Sequence, residues 1–438
     1  MNKNYFFLVL LLCNTILFAQ NNDFNNNGED LLWSNPANWS LTAIPTSTNT
    51  VRLPFLLESL VNQDFTVLKI QTTSATGASS TAEIKKAVVA GTNTLTVDAG
   101  NPNGIGIQNN SANNVDFSFK GKVIINNSSA GFTRMNNANG ANNSITFEED
   151  SELTLQTGLD LANGSGGDNF NFNGTITGSA NLRLTGTTIN TFGSTSSNAD
   201  YTGQIVFIGS SQLIVNTVDN NTFYNGEKIQ VNANNASVVL NGENVFGAGV
   251  NVGGANTFSF SANKNQNSMK TVTFTGAGTL NMTIDNSVTN LSFENSSEAT
   301  WEAGSTLNIT NYQEGVLRFG TDNTGLTSNQ LTKIVIDGVS DSVGLNGEGY
   351  LVNKTSLSIN DFNENVVTPI AYPTLASDNI YFKKLQNNVK IFDLNGKMII
   401  ENQSINQSEI AINSLTNGIY LIVFDNKKIE KFIKLKFK

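Results

Sequence analysis

The sequence predicts an all-β protein, a right-handed parallel β-helix (solenoid) followed by a small C-terminal antiparallel β-sandwich. Three observations carry that expectation. Between Val67 and about Thr310, strand-length runs of alternating polarity recur at intervals of roughly 10 to 25 residues, separated by turns rich in Asn, Gly and Ser. Asn makes up roughly a sixth of the 438 residues, several-fold above ordinary usage, while Pro is scarce at 6. The last stretch, from Tyr372 onward, consists of short alternating strands joined by compact Asp/Asn/Gly turns.

Residues 1–19 have the build of a secretory signal peptide. Lys3 supplies the positive start, Phe6 to Leu12 and Ile16-Leu17-Phe18 the apolar core, and cleavage is expected between Ala19 and Gln20. The apolar run is too short for a transmembrane anchor. Cys13, the only cysteine, lies inside it; acylation there would call for a small preceding residue, and Leu12 stands in that place. The mature chain is therefore expected to carry no thiol and no disulfide, so its core must hold it together. Residues 20–66 read as a polar, flexible lead (NNDFNNNGED) and then a solenoid cap containing Trp33, Trp39 and Pro45. A cap is needed because an open rung exposes unpaired backbone and apolar surface. The same aromatic faces could also pack on pyranose rings.

Residues 67–352 form the expected β-helix body. Runs such as VDFSFKGKVII, SITFEEDSELTLQ, TGQIVFIGSSQLIV and KTVTFTGAGTLNMTI alternate in polarity, and no amphipathic helix interrupts them. In a parallel β-helix, like residues stack from rung to rung into ladders, and Asn tolerates the left-handed backbone of tight corners. A β-sandwich array is the alternative fold, although the two-residue Asn-Gly hairpins it would need are few. The stretch Asn171 to Phe207 resembles the autotransporter-associated β-strand repeat, on Gly174, Ile176, Gly178, Leu182, Leu184, Gly186, Asn198, Tyr201-Thr202-Gly203 and Ile205-Val206-Phe207. That resemblance implies a rung of an exported passenger β-helix. On Leu307, Ile309, Phe319-Gly320, Gly325-Leu326-Thr327, Gln330-Leu331, Ile334 and a final Gly349-Tyr350-Leu351, the closing segment 301–352 is similar to the end of many exported Bacteroidetes β-helices, and residues 353–371 read as a linker.

Residues 372–438 contain Tyr372-Pro373, Ala376-Ser377-Asp378 with Ile380, the run KIFDLNGK with Asp393, Gly396 and Lys397, and Asn417-Gly418-Ile419-Tyr420 before a basic, apolar end. Asp393-Leu394-Asn395-Gly396 and Asp425-Asn426 are the expected turns. This set resembles the type A C-terminal sorting domain of the Bacteroidetes type IX secretion system. The family's second Asn-Pro is replaced here by Thr374-Leu375. The resemblance implies the type IX secretion machinery as a partner, with export across the outer membrane and then release or attachment to surface lipopolysaccharide. It implies no activity.

Composition narrows the chemistry. The net charge is −10 and the basic residues crowd the end of the chain, so the body is acidic and a poor fit to nucleic acid. There is no histidine, which excludes Ser-His and Cys-His nucleophile pairs and His-bearing metal sites. Carboxylate or Lys/Arg chemistry remains. The densest acidic group is Glu148-Glu149-Asp150 with Glu152, read as solvated turn charge, and no Asp-Asp pair occurs. Arg52, Arg134, Arg183 and Arg318 are expected in widely separated rungs. Asn163-Gly164-Ser165-Gly166-Gly167-Asp168-Asn169 faintly resembles a calcium β-roll turn but occurs once, so a plain Gly-rich corner is expected. Thr271-Val272-Thr273 and Thr94-Leu95-Thr96 have the local form of a Thr-x-Thr array, but these pairs do not recur at one fixed rung position and are read as ordinary β-propensity. No catalytic, cofactor or metal residues are assigned. The expectation is a secreted or cell-surface, adhesin-like, non-enzymatic protein with glycans as partners. The alternative is a polysaccharide-active β-helix enzyme, a lyase or glycosidase, using carboxylates and Ca²⁺.

Overall fold

The computed structural model describes residues 20–435 apart from 55–57, 74–84, 112–114, 138–142, 164–168, 194–199, 221–223, 225, 341–342, 354–369, 404–405 and 425–427. The expected signal peptide, most of the expected linker, the heart of the Gly-rich loop and the Asp425-Asn426 turn therefore lie outside the described residues. The chain divides into two compact units, residues 1–355 and 356–438.

The first unit is a parallel β-solenoid. An 11-stranded sheet runs from Gln20–Asp23 and Asn49–Leu53 through Ile105–Asn109, Leu159–Asn163 and Lys228–Val231 to Val272–Thr275. A 15-stranded sheet faces it, and a 3-stranded sheet of Gln266–Met269, Leu291–Phe293 and Leu317–Phe319 joins in the last rungs. Successive strands of one sheet alternate along the chain with strands of another, so each coil stacks on the one before. The solenoid thus begins earlier than the sequence suggests. Gln20–Asp23, read as part of a flexible lead, pairs in parallel with Asn49–Leu53. Its polar side chains disguise a strand whose partners supply the order: Arg52 pairs with Asp23, and buried Asn22 donates to the Ala43 carbonyl at 2.9 Å.

Alternation is what fills the core. In the 11-stranded sheet the inward column runs Val51, Ile70, Ile107, Met135, Leu161, Leu184, Phe207, Val231, Val252, Phe274 in continuous register, every one almost wholly buried. Each such side chain contributes about 1.5–3 kcal/mol of apolar burial. In the opposite sheet Phe119, Phe147, Phe172 and Phe192 stack at 5.0, 5.5 and 4.9 Å between centroids, with rings within 17° of parallel. At the start of the solenoid Trp33 lies edge-on to Trp39 and Phe65, and the Trp39 indole N–H donates to the Trp33 carbonyl at 2.8 Å.

Corners explain the asparagine. Asn26, Asn103, Asn220, Asn235, Asn244 and Asn311 all hold positive φ, between 53° and 62°, a backbone region Asn tolerates better than most residues. Others satisfy buried backbone: Asn109 Nδ2 donates to the carbonyls of Val115 and Ser144, and Asn143 Oδ1 accepts from the Val115 N–H. Two glycines stack where the long strands Lys85–Asp98 and Val115–Asn126 bend. A Cβ on Gly91 (φ +134°) would lie 2.2 Å from the Val61 carbonyl oxygen, and one on Gly121 (φ +150°) 2.3 Å from that of Gly91. The parallel pattern ends in an antiparallel pair, Val343–Leu345 with Leu351–Asn353. The described helices are short, Pro36–Asn38 and Ser328–Leu331.

The second unit has its own core, with Ile380, Val389, Ile391, Ile412 and Ile422 fully buried. A 3-stranded sheet (Ala371–Tyr372, Asn379–Gln386, Gln407–Ala411) and a 5-stranded sheet (Leu375–Ala376, Val389–Asp393, Met398–Asn402, Gly418–Val423, Ile429–Lys434) supply it. The pairings are antiparallel except for Leu375–Ala376 against Ile429–Lys434, which run parallel.

Candidate functional site

The C-terminal unit places its signature residues in two groups. One holds the fold. Asp393 Oδ1 accepts the backbone N–H groups of Asn395 and Lys397, both at 2.9 Å, and Gly396 sits at φ +77° to close the hairpin turn. Tyr420 stacks on Phe432 at 5.7 Å, and its hydroxyl donates to the Thr416 carbonyl at 3.0 Å. A Cβ on Gly418 would stand 3.5 Å from the Tyr420 ring. The Asp378 carbonyl accepts the Ile412 N–H at 2.7 Å, and its carboxylate accepts from the Ser377 hydroxyl at 2.8 Å. The other group is open to solvent. Tyr372, just ahead of Pro373, is 46% exposed and lies 5.9 Å from Tyr381, and Lys397 is exposed at the hairpin tip. Among the described residues, exposed large hydrophobics concentrate in this unit, with only Ile208, Val218 and Val339 elsewhere.

Glu430 is a residue the sequence reading passed over. Its carboxylate accepts the N–H groups of Ile370 and Ala371 at 2.8 and 2.9 Å and pairs with Lys428 at 2.9 Å. It therefore ties the last strand to the first. Burial pushes its pKa up, but those two hydrogen bonds and Lys428 outweigh burial and hold it below the usual glutamate range. A lowered carboxylate pKa contributes stability that is present above the unfolded value and lost as pH falls through the folded one. Glu430→Gln is expected to destabilise the unit by about 1–3 kcal/mol at neutral pH, read as faster hydrogen exchange of the Ile370 peptide. The difference from the parent should vanish in strong acid; an equal loss at every pH would contradict the ionic account.

In the solenoid, the acids near residue 148 are paired rather than gathered. Lys86 Nζ lies 3.4 Å from Glu148 and 3.6 Å from Asp116, and Lys122 lies 3.3 Å from Glu152. Glu149 and Asp150 are exposed in the turn. Asp116 is nearly buried and accepts from the hydroxyls of Ser118, Ser144 and Thr146 at 2.6–2.7 Å. Among the described residues no group of three or more acids is placed to hold a metal ion.

The arginines correct an expectation. Arg134 and Arg183 are not in widely separated rungs; they flank Asp160 on the rungs directly before and after it. Coil length varies along the chain, so a 26-residue step and a 23-residue step each amount to one turn, which spacing alone does not reveal. The Asp160 carboxylate is almost fully buried, and the Arg183 Nε lies 2.9 Å from it. Arg183 also covers the Phe132 ring at 4.1 Å, a cation–π arrangement. Burial raises the Asp160 pKa, against the pull of Arg183 and then Arg134. The cluster unites one carboxylate, two guanidinium groups and an aromatic ring on one outward strip.

Residues 371–436 match the family described as the secretion system C-terminal sorting domain. The C-terminal unit is a type IX sorting domain, and the chain it ends is exported by that route to the cell surface or the extracellular space. No curated protein and no solved structure matches the chain. Among the described residues no helix is long and apolar enough to cross a membrane.

Proposed function

We propose that the chain is a non-enzymatic, adhesin-like surface protein whose solenoid binds glycans. It enters the periplasm on a signal peptide cut between Ala19 and Gln20, and the machinery engages the exposed pair Tyr372 and Tyr381. The observation that carries the reading is the outward surface. Short neutral side chains recur there in register, presenting amide and hydroxyl groups roughly every 4.8 Å along the solenoid. Asn241 donates to Asn216 at 2.6 Å and Asn263 to Asn241 at 2.7 Å, and Asn308 donates to Asn281 at 2.9 Å. Thr257, Thr279 and Thr306 occupy one rung position on three successive strands. Their sequence steps are 22 and 27 residues, and the unequal loops hide the alignment. Rows of amides and hydroxyls both donate and accept, as sugar hydroxyls do.

One observation favours the second reading, a polysaccharide-active enzyme: Asp160, a carboxylate of raised pKa between two arginines. A glycan array and a depolymerisation assay on Gln20–Lys438, with and without Ca²⁺, separate the two. Binding without turnover is the expected result. Turnover abolished by Asp160→Asn would establish the enzyme instead.

A further inference from the structure

The last rungs hold a cleft whose origin is local. Between the pairs Gln266–Leu291 and Met269–Phe293, the strand Gln266–Met269 carries one residue more than its partner. Such a β-bulge bends a strand and re-aims its side chains. Asn267 and Ser268 both turn to solvent at the bulge, beside the small, nearly buried Ser292. The result is an open cleft of about 290 Å³, lined by Asn267, Ser292, Glu294, Asn295 and Arg318 among others. Its volume approaches the lower end of the range for small-ligand sites.

Arg318 sets the chemistry. Its Nε donates to the Gly320 carbonyl at 2.7 Å, and its guanidinium carbon stands 5.8 Å from the centre of the Tyr350 ring. These contacts fix the group's position while leaving its terminal nitrogens without a protein partner among the described residues. Arg52 and Arg183 each have a carboxylate within ion-pair distance. Arg318 has none among the described residues. A planar fork of N–H donors held in a cleft with no carboxylate paired to it matches a carboxylate or sulfate in bidentate geometry.

We infer that this cleft is a subsite for an acidic sugar, the anionic group of a uronic acid or a sulfated residue seated on Arg318. Asn267 and Asn295 then take ring hydroxyls, and Glu294 accepts from another hydroxyl while opposing the ligand's charge. The inference rests on the glycan-binding reading above and adds to it a ligand class and a place.

The test is calorimetry on the full chain, Gln20–Lys438, with an oligouronate, its carboxyl-reduced neutral counterpart and a sulfated oligosaccharide. The oligouronate is expected to bind at least about tenfold tighter than its neutral counterpart, a preference weakened by salt. Arg318→Gln should erase the preference, and Arg318→Lys should lose most of it, because an ammonium keeps the charge without the fork. Glu294→Gln should tighten binding of the acidic ligand by removing the like charge. An unchanged circular dichroism spectrum shows that each variant is folded. A preference for the sulfated sugar that disappears in Arg318→Gln supports the same subsite with sulfate as the anion. Binding of neutral sugars alone, or an acidic preference that survives Arg318→Gln, overturns the subsite and leaves the glycan-binding reading standing. Binding of no saccharide overturns both.

Discussion

Removing residues 371–438 stops export: the surface-exposed and released fractions fall to background, and the protein accumulates inside the cell envelope. Fractionation followed by immunoblotting measures this. The match to the sorting family spans 371–436, and the hydrophobic cluster of the C-terminal unit shares no residue with that of the solenoid. Truncation therefore leaves the solenoid core whole, and the retained protein should give the β-rich circular dichroism of a folded solenoid. Folded but unexported is the expected result. Truncated protein reaching the surface at parental levels would show that the tail is not what the machinery reads.

Phe147→Ala is expected to cost about 3–5 kcal/mol of stability, measured by urea unfolding with the parent as reference. Phe147 is 1% exposed and stacks between Phe119 at 5.0 Å and Phe172 at 5.5 Å, so its loss opens a cavity against two rungs at once. Aromatic pairs add about 0.5–1.5 kcal/mol each beyond area burial. In a solenoid, where stability is the sum of rungs and their interfaces, removing a shared neighbour weakens both interfaces. Thr146→Ala, on the neighbouring outward position, removes a hydroxyl that donates to Asp116 and accepts from Asn171, takes nothing from the phenylalanine column, and serves as the milder control. Equal effects of the two substitutions would refute a core held by the phenylalanine column.

The alternating runs predict the strands because period 2 is written into each of them, as in Thr257–Ala262, whose residues alternate half-buried and buried. Left-handed corners were equally readable from the asparagine content. Register was not. Thr279 pairs with Thr257 and Thr306, and Asp160 with Arg134 and Arg183, across loops of unequal length. No local signal in the sequence counts those loops. The Gln20–Asp23 strand is not legible because its inward position is Asn22, a polar residue whose burial is made tolerable by tertiary hydrogen bonds. The Arg318 cleft depends on a single extra residue between Gln266 and Met269, and a bulge becomes visible only when the partner strand is in place. In the C-terminal unit the turn at Asp393 was readable, since Asp and Gly carry the turn chemistry in their own side chains and backbone. Glu430 acts on Ile370 and Ala371, some 60 residues away, and no pattern in its neighbourhood announces that.

On the reading proposed above, the sorting domain and the N-terminal signal peptide are addresses and the solenoid between them is what is delivered. Intact-mass and terminal-peptide mass spectrometry of the protein recovered from the cell surface or the medium tests it most directly. The account predicts a species that begins at Gln20 and ends within residues 353–371, the segment joining the solenoid to the sorting domain. A surface species that retains Met1, or one that runs through to Lys438, would contradict it.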